Sequence, residues 1–259
     1  MARDRVIQDD HHHHPLMLVV DVDQRPYRYR CRGCLEIGCG PRYACVEEDC
    51  DYVLHQPCAN PDRTIAHPFF PRCSFSFFDV PKPRRRCDAC GGDVKGFVYH
   101  CANKGWDLHP CCAKLERQVK EDDVVFDLRE REIAKCYSCG KRKLNKEAKS
   151  WTYVSKCGEY HFHVSCMKKG AVEAVEAMEE GTHHGEGGAA STASFKVTES
   201  RALQERLPNY SIARRKDKKK MRKFAMLKTI VKIAVGIMAA LLGDPTTLTI
   251  ALITSLISN

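Results

Sequence analysis

The feature that most constrains this chain is a pair of short cysteine and histidine motifs that occurs three times. Each copy has a Cys-x-x-Cys that is followed 19 to 24 residues later by a His-x-x-Cys, and the copies start 56 and 49 residues apart. A structural zinc site needs four tetrahedral Cys or His ligands, and a Cys-x-x-Cys turn presents two thiolates from one tight loop. The spacing therefore predicts three Cys3His zinc sites. Their ligands are Cys31, Cys34, His55 and Cys58; Cys87, Cys90, His109 and Cys112; and Cys136, Cys139, His163 and Cys166.

The first copy contains further candidate ligands. Cys45 and Cys50 lie between its two motifs. His14 precedes the copy and His67 follows it. These four residues could form a second, interleaved zinc site. His14 closes a run of four histidines and leads directly into Pro-Leu, so we take it as the ligand from that run.

The distribution of the cysteines also favours metal binding. All 16 fall between Cys31 and Cys166, whereas a tendency to bury thiols in a core would scatter them through every apolar segment. The polar first ten residues predict no secretory signal peptide, so we expect a cytoplasmic protein, with a peripheral membrane or nuclear location as alternatives. In those compartments thiols are kept reduced, and dense cysteine with interspersed histidine indicates metal sites in preference to a disulfide framework.

Several longer motifs surround these ligands. They are His14-Pro-Leu, Tyr43-x-Cys45, Leu54-His55-x-x-Cys58-Ala59, Ile65-x-His67-Pro68, Tyr99-x-Cys101, Asp107-Leu108-His109-x-x-Cys112-Ala113 and Trp151-x-Tyr153. With them, residues 12–166 resemble the plant cysteine/histidine-rich family of divergent C1 domains, relatives of the zinc modules that bind diacylglycerol in protein kinase C. Zinc sites interleave in that family. The resemblance therefore implies one ion on His14, Cys45, Cys50 and His67 and another on Cys31, Cys34, His55 and Cys58.

The later copies depart from the family pattern. Lys104 stands where a fourth cysteine is expected, and Cys73 stands where a leading histidine is expected. An interleaved site would be left with Cys73 and Cys101 in the second copy, and with Cys157 and His161 in the third. We expect these sites to be degraded or absent. The prediction is then about four zinc ions per chain, and up to six if both sites were complete.

These features predict small zinc-stabilised, β-rich or irregular C1-like modules in tandem, followed by an α-helical C-terminal segment. Units of about 50 residues bury little apolar surface, so metal would supply much of their folding free energy. Because each unit carries its own ligands, a shared core is not required. The predicted ranges are a disordered N-terminus at 1–10, divergent C1 units at 11–70 and 71–118, a third, partial unit at 119–170, a short helix and flexible linker at 171–200, and a basic segment with an apolar helical hairpin at 201–259.

No set of residues favours catalysis. A thiol redox enzyme would need its Cys-x-x-Cys in a βαβ context at a helix N-terminus, and none of the three motifs has these surroundings. Each complete zinc set has four protein ligands, which leaves no position open for water. The loop 35–41 is short and lacks the Gln-Gly element of the diacylglycerol-binding relatives, so we do not expect that ligand. The resemblance instead implies protein-interaction modules in plant stress, hormone or defence signalling.

The C-terminal segment is first basic and then apolar. Residues 200–259 hold 12 Lys/Arg and three Asp/Glu, which accounts for the whole net charge of +9. Two apolar stretches at helical spacing follow the basic run, each too short to span a bilayer. The eight basic residues that would bind an anionic surface are Arg214, Arg215, Lys216, Lys218, Lys219, Lys220, Arg222 and Lys223.

This pattern favours residues 214–259 for association with an anionic membrane surface or for self-association. Packing of the hairpin on the zinc units is a third alternative. Nucleic-acid binding ranks lower, because no aromatic residues interleave with the basic ones. The expected function is a non-catalytic zinc-binding signalling adaptor with an unidentified protein partner. The runner-up is a nuclear zinc-finger reader of chromatin or nucleic acid, and a thiol-disulfide oxidoreductase ranks below it.

Overall fold

The computed structural model describes residues 5–20, 28–121, 124–131, 134–143, 150–170 and 172. These residues form short strands and helices. In chain order the strands are β1 (Val6–Ile7), β2 (Leu16–Val19), β3 (Arg28–Arg30), β4 (Ile37–Cys39), β5 (Arg42–Cys45), β6 (Val53–His55), β7 (Thr64–Ala66), β8 (Ser74–Phe78), β9 (Val98–Cys101), β10 (Trp106–Leu108), β11 (Gln118–Glu121), β12 (Val124–Arg129), β13 (Thr152–Ser155) and β14 (His161–His163). The helices are α1 (Gln56–Ala59) and α2 (Pro110–Ala113), and residues 164–170 are also helical.

Most of the strands form three four-stranded antiparallel sheets of the same design. Their strand orders are β1-β2-β5-β6, β7-β8-β9-β10 and β11-β12-β13-β14. A separate hairpin of β3 and β4 lies within the first of these units. Each sheet with its Cys/His motifs is one structural unit. We call residues 5–59 unit 1, residues 64–113 unit 2 and residues 118–170 unit 3.

The unit boundaries differ from the predicted ranges at two places. Residues 1–10 are predicted to be disordered, yet β1 lies there and pairs with β2, which places Ile7 opposite Leu16. The predicted first range, 11–70, also includes β7, but this strand pairs with β8 and not with any strand of unit 1. A strand belongs to the sheet that satisfies its backbone hydrogen bonds, so unit 2 begins at Thr64.

Unit 1 has its own core because successive side chains of a strand point to opposite faces of the sheet. Leu16, Tyr43 and Leu54 are buried on the inner face, whereas Met17, the neighbour of Leu16, is 46% exposed on the outer face. Phe97 reaches into this core from unit 2. Unit 1 is therefore packed against its neighbour, although the sequence did not require it.

Units 2 and 3 share one hydrophobic core. Both sheets contribute fully buried aromatic side chains to it, so neither unit buries its apolar face alone. The largest contributors are Phe75, Tyr99 and Leu108 from unit 2 and Phe126, Trp151 and Tyr153 from unit 3. Metal ligands in each unit thus do not make the units independent, because the apolar faces of the sheets still have to be buried.

Two glycines allow units 1 and 2 to touch through their backbones. The N–H of Phe97 donates to the carbonyl of Gly33 at 3.0 Å. A Cβ atom on Gly96 would lie 2.0 Å from that same carbonyl oxygen, and a Cβ atom on Gly33 would lie 2.4 Å from the Phe97 ring. Glycine at both positions therefore permits the close approach.

No helix within the described residues is both long and apolar enough to cross a membrane. The predicted linker, basic segment and apolar hairpin all fall beyond residue 172. They lie outside the part of the chain that the structure describes.

Candidate metal centres

The three Cys-x-x-Cys motifs adopt the same backbone geometry. In each, the N–H of the first cysteine donates to the carbonyl five residues later, at 3.0 Å for Cys31, 2.8 Å for Cys87 and 2.8 Å for Cys136. The residue after the second cysteine has a positive φ in each case. These residues are Leu35 at 60°, Gly91 at 69° and Gly140 at 67°. The tight loop turns both thiols of the motif to the same side, as a tetrahedral site requires.

The His-x-x-Cys motifs complete these loops from the last strand of each sheet. His55 and His163 end β6 and β14, and His109 directly follows β10; in each unit the final cysteine lies in the helical turn that follows. In all three units the backbone N–H of the histidine donates to Sγ of the first cysteine of the loop at 3.4 Å. Proline follows at the start of α1 and α2, where its missing N–H costs nothing.

The structure brings together all twelve ligands of the three repeated sets. Within each set the ligand atoms lie within 4.8 Å of one another. The histidine presents Nδ1 to the thiols, as with His55 at 3.3 Å from Cys34 and His109 at 3.4 Å from Cys90. We call these the first, second and third centres, in chain order. The first two are fully buried, and the third is half-buried.

A fourth centre lies at the end of the first sheet where β2 begins and β5 ends. It contains His12, His14, Cys45 and Cys50, again within 4.8 Å of one another. His12 Nε2 lies 3.2 Å from Cys45 Sγ and 3.4 Å from Cys50 Sγ, and its ring stacks on Tyr52 at 4.1 Å. Sequence reasoning missed His12. The available signal was a second histidine two residues before His14, in the stretch leading into β2.

His67, the fourth ligand that the sequence suggested for this centre, lies elsewhere, because it follows β7 and so belongs to unit 2. It is 4% exposed, its ring stacks on Trp151 at 4.7 Å, and its Nδ1 accepts the N–H of Phe69 at 3.2 Å. Burial, and then the charge of Arg117, lower the pKa of His67 to about 4. It is a neutral core histidine between units 2 and 3.

The predicted interleaved ligands of the later units form no metal set within the described residues. Cys73 and Cys101 instead form a disulfide. Cys157 is exposed, and its Sγ lies 3.2 Å from the hydroxyl of Ser155. His161 faces the carbonyl of Gly158 with Nε2, at 3.0 Å.

In each repeated centre one thiol has a lowered pKa, which favours the thiolate, the form that binds metal. Hydrogen bonding from Cys166 lowers the pKa of Cys136 to about 3. Hydrogen bonding from Cys112 likewise holds the pKa of Cys90 well below its usual range. Burial opposes ionisation of Cys31, yet hydrogen bonds from its neighbouring thiols still place its pKa well below the usual range. Sets of three sulfur atoms and one nitrogen, or two of each, fit zinc.

A further buried thiol, Cys111, stands beside the first centre. Cys111 is 5% exposed and belongs to unit 2, but it contacts Cys58 and His55 of unit 1. Hydrogen bonding from Cys58 lowers the pKa of Cys111 to about 5. Cys111 is not one of the four mutually close ligands of that centre.

Comparison with protein families matches residues 10–59 to the C1 domain. The matched range holds all the ligands of the first and fourth centres. This part of unit 1 is therefore similar to a C1 domain. Comparison with curated proteins and with solved structures finds no match for the chain. Units 2 and 3 repeat the strand order and the Cys3His set of this C1-like unit, so the chain carries small β-rich C1-like modules with four metal-binding clusters.

Proposed function

We propose that the protein is a non-catalytic, zinc-stabilised scaffold whose C1-like units present binding surfaces to a protein partner. The observation that carries this proposal is the closure of the metal centres. Each of the four described centres has four protein ligands, which fills the tetrahedral shell of zinc. Such an ion has no open position for water or substrate, so it contributes folding free energy and not chemistry.

The arrangement of the thiols argues against thiol-disulfide exchange by the Cys-x-x-Cys motifs. Both cysteines of each motif face a histidine and a third cysteine, and five of these six thiols are buried. Exchange needs an accessible thiolate. An insulin-reduction assay tests this point directly, and turnover by the zinc-loaded protein would contradict a structural role.

Metal analysis combined with chelation tests the scaffold role. We expect about four zinc ions per purified chain, and loss of tertiary structure when a strong chelator removes them, because units of this size bury little apolar surface. Near-ultraviolet circular dichroism and fluorescence report that loss. A chain that carries no zinc, or that keeps its tertiary structure after complete metal removal, would overturn the proposal.

We further propose that residues 214–259 bring this scaffold to an anionic membrane surface or join copies of the chain. The charge supports it, since eight basic residues occur within 214–223 and an apolar sequence follows. Lipid-vesicle sedimentation and light scattering should show that the full chain binds anionic vesicles or self-associates, whereas a chain ending at residue 199 does neither. Equal behaviour of the two chains would remove the tail from the proposed function, and preferential binding of nucleic acid would favour a nuclear role.

A further inference from the structure

Glu36 of unit 1 reaches the second metal centre, which belongs to unit 2. Glu36 precedes β4, and its Oε1 lies 3.5 Å from Nε2 of the ligand His109. Its other carboxylate oxygen forms an ion pair with Nζ of Lys168, which belongs to unit 3. The two charged side chains are 21% and 16% exposed. The ligand His109 is thus in contact with unit 1, and through Glu36 it is connected to unit 3.

Among the described residues, the equivalent histidines of the other centres have no such carboxylate. All three histidines turn Nδ1 toward their thiols, so Nε2 is the nitrogen left to contact the surroundings. For His163 it faces the carbonyl of Arg142 at 3.1 Å, and for His109 it faces the equivalent carbonyl of Asp93 at 3.2 Å. Nε2 of His55 has no hydrogen-bond partner within the described residues. The carboxylate is therefore an addition particular to the second centre.

The charges explain why a lysine accompanies this glutamate. Zinc with three thiolates and a neutral histidine carries one net negative charge. A partly buried carboxylate beside it would be repelled unless a cation accompanied it. Lys168 supplies that cation, since it interacts with the thiols of Cys90 and Cys112 as well as with the carboxylate.

We infer that Glu36 and Lys168 complete the second centre from the preceding and the following unit, so that metal binding there locks the three units into one body. Nε2 of His109 already has the Asp93 carbonyl as its hydrogen-bond partner, so the Glu36 carboxylate acts on the ring through its charge, at ion-pair distance, and increases the basicity of the histidine. Loss of such an outer partner of a metal-bound histidine weakens metal binding on the order of 10- to 100-fold. The inference rests on metal binding at the second centre, which belongs to the proposed function, but not on the identity of a partner.

The test compares full-length Glu36→Gln and Lys168→Met with matched controls. Glu48→Gln changes an exposed glutamate of the same unit, and Lys169→Met changes the exposed next residue of the same helical stretch. Zinc-loaded protein is titrated with a chromophoric chelator while an alkylating reagent labels released thiols, and mass spectrometry locates the labels. We expect Cys87, Cys90 and Cys112 to be released at roughly 10- to 100-fold lower chelator activity in both variants, with the controls unchanged.

The location of the labels distinguishes the outcomes. Release of unit 1 thiols alone in Glu36→Gln would show that the glutamate acts within its own unit, and unchanged protection of the second centre would show that it does nothing there. Either result overturns the inference and leaves the proposed function intact. Wild-type protein whose second-centre thiols are labelled without chelator would overturn both. The double variant provides a further check, because removing both partners should cost less than the sum of the single changes.

Discussion

Removal of the Cys73–Cys101 disulfide should destabilise units 2 and 3 without loss of zinc. The bond joins residues 28 positions apart, just before β8 and at the end of β9. For a closed loop of that length, the chain-entropy relation gives about 12 cal/mol/K, or about 3.5 kcal/mol at 25 °C. We therefore expect the double variant Cys73→Ala/Cys101→Ala to unfold with a free energy about 3.5 kcal/mol lower.

Urea unfolding followed by tryptophan fluorescence measures this change where it occurs. The two tryptophans, Trp106 and Trp151, lie in units 2 and 3, and the ring of Phe70 contacts both of them. With a typical dependence of about 2 kcal/mol per molar urea, the midpoint should fall by roughly 1.5 to 2 M. Cys157→Ala is the matched control, since that thiol is exposed and forms no disulfide.

Two further measurements test the disulfide and its contribution to stability. Reductant should lower the midpoint of the wild-type protein by the same amount and leave the double variant unchanged, and both proteins should hold the same number of zinc ions. An unchanged midpoint in the double variant would refute the magnitude. Alkylation of Cys73 and Cys101 in native, unreduced protein would refute the bond itself.

The remaining predictions concern single side chains. His12→Ala should lower the zinc content by about one ion, whereas His67→Ala should leave it unchanged; metal analysis of the two variants decides which histidine is the ligand. The folded pKa of His67, about 4, lies below its unfolded value of about 6.5, so its contribution to stability is full above pH 6.5 and is lost as pH falls toward 4; an NMR titration should find its ring neutral at pH 5.5. Gly96→Ala should destabilise the contact of units 1 and 2 by about 1 to 3 kcal/mol in urea unfolding, because its Cβ would lie 2.0 Å from a backbone oxygen. Leu35→Gly should stabilise unit 1 by about 1 kcal/mol, because leucine at φ 60° is strained where the other two loops have glycine; thermal unfolding measures the gain.

The repeated Cys3His centres could be predicted from the sequence because their geometry is local. A Cys-x-x-Cys loop fixes two ligands by its own backbone hydrogen bonds, as the three matching N–H to carbonyl contacts show. The second pair comes from the end of a strand that the loop itself contacts, since the N–H after each first cysteine donates to the carbonyl two residues before the histidine. The spacing of the two motifs along the chain is therefore enough to predict which four residues form each centre.

His67 was misplaced because its position depends on strand pairing. In the sequence His67 follows the last cysteine of unit 1 closely, as a ligand of the interleaved site would. Its strand, β7, nevertheless pairs with β8, and the ring then lies against Trp151 of unit 3. Whether a short strand ends one unit or begins the next depends on hydrogen bonds and apolar contacts that no local spacing encodes. The contact of Glu36 with Lys168, 132 residues away, is beyond sequence reasoning for the same reason.

One position of the repeated sheet shows what the fold requires and what it leaves free. In unit 1 Leu16 lies opposite Cys45, and in unit 3 Phe126 lies opposite Ser155. The register of β8 and β9 places Cys101 at this same position. Cys45 is a metal ligand, Cys101 forms a disulfide, and the Ser155 hydroxyl accepts a backbone N–H at 3.0 Å. In each unit an interaction at this position connects the end of the strand to its surroundings. The type of interaction differs between the units: a metal centre in unit 1, a disulfide in unit 2 and a hydrogen bond in unit 3. The Cys3His centre beside it does not vary between the units, because its ligands also form the turn that starts each helix.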